Sequence, residues 1–313
     1  MQTVLITGGT GLVGKRLTQM LLEKGYEVRV LGRQSLTDHR SPSTVNDNRS
    51  TANYFAWNID TQTIDPNAIK GTDYIIHLAG AGVADKRWTK KRKEEIVNSR
   101  TQSSALLVKT LQEIPNNVKA VISASAIGWY GPDKKGMPAF TEDAEHDTAF
   151  LGDTCYQWEN SIEPVSSLNK RLVKFRIGIV LSNDGGALPE FKKSLKGGIA
   201  AILGSGNQMI SWIHIDDLCR MFIYAIEDEK MNGVYNAVAP KPVSNKTLTL
   251  ALAKAVRKSF YIPVYVPSFV LKIMLGEMSI EVLKSATVSC EKIKKDGFTF
   301  LYPSLDAALN ELT

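Results

Sequence analysis

Three glycines at positions 8, 11 and 14, set in Gly8-Gly9-Thr10-Gly11-Leu12-Val13-Gly14, have the spacing of a backbone cradle for a diphosphate. Each has a physical task in such a cradle. Gly8 permits a tight turn, Gly11 lets backbone amides approach a pyrophosphate, and Gly14 lets the following helix pack close to the strand. The phosphates would rest on the positive end of that helix. About 20 residues further on, a fold specific for NAD carries an Asp or Glu that holds the ribose hydroxyls. Here Gly32-Arg33 occupies that position. A guanidinium attracts a 2′-phosphate that a carboxylate would repel, so NADP(H) is expected over NAD(H).

The elements that must position these residues are legible on either side. Val4-Leu5-Ile6-Thr7 is an apolar run of strand length, and Leu17, Met20, Leu21 and Leu22 share one helical face behind the turn. Strand, glycine turn and helix in that order make a weak glycine pattern into a dinucleotide-binding fingerprint. Further strands read at 27–31, 54–57, 74–80, 118–124 and 172–181, with helices at 88–111 and 151–168 and a kink or end at Pro164. Strands alternating with helices predict an α/β fold, a doubly wound parallel sheet of Rossmann type. His77 lies inside an apolar strand and reads as a core histidine. Residues 35–53 are polar with no apolar period and read as a surface loop. After Leu181, glycines at 185–186, 197–198, 204 and 206 break the chain into short pieces. A strand at 209–214 and helices at 215–226 and 245–257 follow.

Bulk properties narrow the classes. A chain of 313 residues can bury a full core and form two lobes. Its net charge of +6 fits a polyphosphate ligand, and no basic stripe with interleaved aromatics points to nucleic acid. No apolar run approaches membrane-spanning length. The first strand begins directly after Met1, which leaves no room for a signal peptide. Cys155, Cys219 and Cys290 are odd in number and lack CxxC or metal-site spacing, so no metal site is expected and a reducing cytoplasm is the expected setting.

Along essentially its whole length the chain resembles one family, the atypical extended short-chain dehydrogenase/reductases of the epimerase family, related to nucleoside-diphosphate-sugar epimerases. The resemblance rests on TGGTGLVG (7–14), HLAGAGV (77–83), RWTKKRKEEIVNSR (87–100), SASAIGWYG (123–131), CYQWE (155–159), SWIHIDD (211–217) and NAVAP (236–240). LGEM (275–278) and DGFTF (296–300) resemble the family's small carboxy-terminal domain of unassigned role. The resemblance implies NADP contacts from Gly8 to Gly14, Gly32-Arg33, Leu78-Ala79, Glu95 and Arg100. It also implies a division into an NAD(P)-binding domain, 1–236, and a carboxy-terminal substrate lobe, 237–313. Residues 182–208 would join that lobe, and the small domain would span about 263–310. A homodimer through the helices at 88–111 and 151–168 would follow by analogy.

Relatives of this kind use a Tyr-x-x-x-Lys pair on one helix with a Ser or Thr after the fifth strand. Three or four residues apart, Tyr and Lys share a face, and the ammonium lowers the phenol's pKa for proton exchange. This chain departs from the pattern. Thr154 and Trp158 fall where Tyr and Lys belong, and a shift of two pairs Tyr156 with Asn160, which has no charge. Ser125 fits the hydroxyl position, Tyr130 is a second phenol near the pocket, and His214 could titrate near neutrality; these three are the catalytic candidates. The expected function is an NADP(H)-binding epimerase or oxidoreductase acting on a small carbonyl or alcohol, including a nucleotide sugar. The alternative is a catalytically silent NADP(H)-dependent binding protein.

Overall fold

A computed structural model describes residues 1–33, 52–257 and 260–313. The expected loop at 35–53 lies outside the described residues except for its last two. In chain order the strands are β1 Thr3–Thr7, β2 Glu27–Gly32, β3 Asn53–Asn58, β4 Thr63–Ile64, β5 Tyr74–His77, β6 Ala120–Ala126, β7 Arg171–Ile177, β8 Ile179–Ser182, β9 Gly185–Gly186, β10 Ile199–Leu203, β11 Met209–Ile210, β12 Trp212–His214, β13 Gly233–Ala237, β14 Val243–Ser244 and β15 Ile262–Val266. The helices are α1 Leu12–Glu23, α2 Lys90–Glu113, α3 Phe150–Ile162, α4 Ala187–Lys196, α5 Ile215–Glu227, α6 Asn245–Arg257, α7 Ser268–Leu275, α8 Ser279–Leu283, α9 Glu291–Lys295 and α10 Leu305–Leu312.

Eight strands form the main sheet in the order β13-β7-β6-β5-β1-β2-β3-β4, parallel except for β4. Successive side chains of a strand point to opposite faces, and the core divides accordingly. Val4, Ile6, Val28 and Val30 pack with Leu17 and Leu21 of α1 and Leu218 and Phe222 of α5. Leu5, Leu31, Ile75 and Val121 pack with Leu106 and Leu107 of α2 and Ile162 of α3. The doubly wound arrangement expected from the alternating pattern is what these registers build. Strand order reverses at β1, with β2 on one side and β5 on the other, and Thr7 stands level with Leu31 and His77. The crevice outside the carboxyl ends at such a reversal is where ligands bind in open α/β sheets.

Two differences from the sequence reading have local causes. The expected strand 172–181 breaks at Gly178, where a Cβ would stand 2.5 Å from the Ser211 carbonyl oxygen. β7 stays in the main sheet, while β8 leaves it to pair with β12. The edge strand β13 overlaps the NAVAP motif, and its five residues carry no strand-length apolar run that would mark a strand.

Past β8, a third core gathers Leu188 and Leu195 of α4, Leu248 and Leu252 of α6, and Leu305 and Leu309 of α10. β10 and β15 form a separate parallel pair beside it. The segment 285–289 returns over the main sheet and is stitched to the loop after β6. Phe140 bridges to Val288, and Asp133 accepts hydrogen bonds from Ser285 Oγ and from the amide and hydroxyl of Thr287.

Candidate functional site

The glycine turn is closed by contacts that no side chain would allow. Gly8 has φ +70°, and a Cβ there would lie 2.9 Å from the Leu78 carbonyl carbon and oxygen. A Cβ on Gly14 would lie 2.3 Å from the Gly8 oxygen. β1 therefore meets the residues after β5, and α1 meets the turn, backbone against backbone. The Gly11 amide donates to Gly8 O at 3.0 Å. α1 then begins with no side-chain cap and no acidic residue in its first turn. Among the described residues nothing accepts the amides of Leu12, Val13 and Gly14, which carry the positive end of the helix dipole. That cradle fits a dinucleotide pyrophosphate. Arg16 holds α1 in place by a bidentate pair with Asp216 of α5, 2.7 and 2.9 Å.

Beneath the turn, His77 is fully buried. Its Nδ1 lies 2.7 Å from Thr7 Oγ1 and its Nε2 lies 3.1 Å from Ser104 Oγ. Burial pushes its pKa down to about 3, so it is a neutral structural bridge. Thr7 Oγ1 in turn accepts the amides of Leu78 and Ala79, both at 3.2 Å, which fixes the backbone opposite Gly8. Gly32 ends β2, and Arg33 is exposed directly beyond it.

Arg100 and Glu95 sit on α2 and take different surroundings. The Arg100 guanidinium donates to the carbonyls of Ala81 and Ile96 and lies 4.9 Å from the Trp158 ring. No carboxylate pairs with it among the described residues, and burial pushes its pKa down. Glu95 is exposed and pairs at 2.7 Å with Arg92 of the same helix, whose hydrogen bond lowers the carboxyl pKa. Trp88 packs edge-on against Phe150, ring centroids 4.9 Å apart.

Ser125 and Tyr130 come together in one buried network. Ser125 Oγ donates to Glu159 Oε1 at 2.7 Å. Arg176 of β7 forms a bidentate pair with Glu159 at 2.9 and 3.1 Å, and donates to Tyr130 Oη at 3.1 Å and the Glu142 carbonyl at 3.0 Å. Tyr130 Oη donates to Asn236 Oδ1 at 2.6 Å. Asn236 spends its side-chain amide on Ser289 O at 3.0 Å. The Arg176 guanidinium also stacks 3.6 Å from the Trp129 ring centroid. Burial, outweighing Arg176, pushes the Tyr130 phenol up to about 12. Burial likewise pushes the nearby Cys155 thiol up to about 12.

His214 lies apart from this network. Its Nδ1 accepts the Asp216 amide at 3.1 Å, capping α5. That leaves the proton on Nε2, which donates to Glu311 Oε2 of α10 at 2.9 Å. The Tyr302 ring covers the imidazole, with centroids 3.8 Å apart. On α3, Thr154 bonds to the Phe150 carbonyl, Trp158 is buried under Arg100, and the half-exposed Tyr156 stacks on His146 at 4.3 Å. No phenol stands beside an ammonium in either register. Among the described residues no group of three or more His, Cys, Asp or Glu is arranged to hold a metal, and no helix is long and apolar enough to cross a membrane.

Sequence reasoning passed over Glu159, Arg176 and Asn236 as members of this site. One signal was present. Lys174 and Arg176 interrupt an otherwise apolar strand, and a charge in a buried strand requires a partner.

Residues 4–156 match the NAD dependent epimerase/dehydratase family, and residues 266–312 match a domain of unknown function, DUF1731. The chain is 36% identical over 314 residues to the epimerase family protein SSP1921 of Staphylococcus saprophyticus, covering all of this chain and 99% of that one. It resembles the crystal structure of human epimerase family protein SDR39U1 (isoform 2) with NADPH, at 27% identity and TM-score 0.85 over 99% of both chains. It also resembles a nucleoside-diphosphate sugar epimerase from Corynebacterium glutamicum, at 30% identity and TM-score 0.76, covering 99% of this chain and 58% of that one.

Proposed function

The chain belongs to the NAD dependent epimerase/dehydratase family, and from that premise we propose that it binds NADP(H) and acts on a small carbonyl or alcohol substrate as an oxidoreductase or epimerase. The observation that carries the reading is the glycine cradle, where backbone approaches backbone too closely for any Cβ at Gly8 or Gly14 and the first amides of α1 stay uncapped. Gly8 to Gly14 would hold the pyrophosphate, with Leu78 and Ala79 opposite. Arg33 would take the 2′-phosphate, and Arg100 would bring a buried positive charge to the loop after Ala79. Bound there, NADP(H) supplies a hydride donor or acceptor. SDR39U1, whose fold this chain shares, was crystallised with NADPH, which supports the phosphorylated form of the cofactor.

Residues 1–236 would carry the cofactor, and 237–313 with 182–208 would form the substrate lobe. Ser125 near the end of β6 and Tyr130 just beyond it would stand beside the reacting end of a cofactor bound in the crevice. With their hydrogens committed to Glu159 and Asn236, they hold its wall rather than trade protons. His214 fastens the last helix to α5. A second reading, a catalytically silent NADP(H)-dependent binding protein, is favoured by the same corner, because a phenol pushed up to about 12 is a poor acid at neutral pH.

Calorimetric titration with NADPH and NADH, followed by NADPH oxidation across a carbonyl panel, tests both readings. Tighter binding of NADPH with turnover is expected. Tighter binding of NADH would sink the assignment of Arg33. NADPH binding without turnover on any carbonyl would leave the silent reading.

A further inference from the structure

The charge of Arg100 on α2 has no carboxylate partner among the described residues. Its Nη1 donates to the carbonyls of Ala81 and Ile96, while Nε and Nη2 donate to nothing among the described residues. Two neighbours hold the guanidinium. A Cβ on Gly80 would stand 3.1 Å from Arg100 Cζ and 3.4 Å from Nε, and the Trp158 ring centroid lies 4.9 Å from Cζ. Two other cations of the same helix are matched: Arg92 pairs with Glu95 at 2.7 Å, and Lys93 pairs with Glu277. Burial pushes the Arg100 pKa down, the sign of a charge that its surroundings leave uncompensated. The Cys155 thiol feels this charge, yet burial prevails and pushes its pKa up to about 12, so it stays neutral and does not balance it.

The sheet gives this charge its place. Arg33 follows β2 on one side of the glycine turn, and Gly80 follows β5 on the other. A dinucleotide with its 2′-phosphate at Arg33 and its diphosphate over Gly8 to Gly14 carries its nicotinamide towards β5 and β6. Trp158 belongs to that side as well, because the next residue, Glu159, accepts from Ser125 of β6 at 2.7 Å. Trp158 also falls where the lysine of a Tyr-x-x-x-Lys pair belongs. α3 therefore brings no cation to this end of the crevice, and α2 rests one on the residue that stands in the lysine's place.

We propose that Arg100 is the cation of the nicotinamide end and makes the site hold NADPH more tightly than NADP⁺. The nicotinamide ring is neutral when reduced and positively charged when oxidised, whereas the phosphates and adenosine are the same in both forms. A guanidinium near the ring repels the oxidised form alone; near the phosphates it would favour both forms alike. Arginine keeps its charge across the working pH range, so the bias is fixed. A site biased in this way fills or empties with the redox state of the cofactor. That is what a silent NADP(H)-dependent binding protein requires, and what a reductase would use to release NADP⁺. This rests on the NADP(H) reading of the crevice.

Calorimetric titration with NADPH and with NADP⁺ tests it on the wild-type, Arg100→Met and Arg100→Lys chains. The wild-type chain should bind NADPH about tenfold more tightly than NADP⁺. Arg100→Met, which keeps an unbranched side chain against Trp158 and removes the charge, should bring the two affinities within about twofold of each other. Arg100→Lys keeps the charge and loses the fork, and should hold the ratio within about threefold of the wild-type value. Equal losses of both forms in Arg100→Met would put the guanidinium on the phosphates and overturn the proposal. A ratio unchanged with neither affinity altered would overturn it as well, as would Arg100→Lys behaving like Arg100→Met. The wild-type ratio needs no substitution, so a chain that binds NADP⁺ as tightly as NADPH overturns it even if Arg100→Met does not fold. Binding of neither form would remove the NADP(H) reading itself, whereas binding of both with a ratio indifferent to Arg100 leaves that reading standing.

Discussion

The glycine turn and the corner where β6, α3 and β7 meet lie at the same edge of one sheet and are built on opposite principles. At the turn, close packing brings backbone to backbone and leaves the first amides of α1 without partners among the described residues. At the corner, Ser125, Glu159, Arg176, Tyr130 and Asn236 satisfy one another in a buried chain of hydrogen bonds. Unspent polar groups on a rigid frame are a binding site, because a ligand that satisfies them gains what the chain withheld. Spent groups in a dry interior fix geometry, because moving any one of them strands its partner. The difference teaches that the first region is made to receive something, and the second to stay as it is.

The largest expected effect would break the corner. Glu159→Ala leaves the Arg176 charge buried and unpaired and should cost about 3–5 kcal/mol in urea unfolding. A loss under about 1 kcal/mol would show that solvent reaches the pair and that the contrast is overstated. Next comes the turn: Gly14→Val should weaken NADPH binding about a hundredfold, or about 3 kcal/mol, by driving α1 away from Gly8. Calorimetry on the variant checks it, and near wild-type affinity would mean the cradle is not the cofactor site.

The floor under the turn sharpens the comparison through pH. Burial holds the folded pKa of His77 at about 3, below its ordinary 6.5. Only the unfolded chain takes up the proton between those values. Stability is therefore full above 6.5 and falls by about 1.4 kcal/mol per pH unit below it, over this one group. His77→Gln should flatten the slope of unfolding free energy between pH 6.5 and 5 by about that amount, and an unchanged slope would place the titrating group elsewhere. The smallest effect tests what the turn receives. Arg33→Ala should weaken NADPH about tenfold and leave NADH nearly unchanged; equal losses for both would remove the 2′-phosphate from Arg33.

Much of the first region was legible in the sequence, because its parts are adjacent in the chain. An apolar strand, three glycines and an amphipathic helix occupy the first 24 residues, and each glycine's task follows from local backbone geometry. The corner was legible only as candidates. Ser125 near the end of β6 and Tyr130 just beyond it could be named from their place in the chain. Nothing in their own stretch said that Glu159, Arg176 and Asn236 would take up their hydrogen-bonding capacity. Glu159 stood inside a quoted motif and Arg176 inside a read strand, yet pairing them needed α3 to pack on β6 and the register that sets Ser125 level with Arg176. His214 was likewise readable as a residue able to titrate, while its cap on α5 and its bond to Glu311 span 2 and 97 positions.

By itself, then, the order of residues determined the doubly wound sheet, the glycine turn and the absence of a Tyr-x-x-x-Lys pair from the helix read at 151–168, since periodicity, glycine spacing and residue identity act over a few neighbouring positions. Tertiary structure alone decided which polar groups were left for a ligand and which were spent on one another. Tyr130 meets Asn236 across 106 positions. Ile199 of β10 stands opposite Ile262 of β15 across 63 positions. Whether a group is satisfied or available depends on what the rest of the chain brings to it, and that is settled only when the distant pieces have packed.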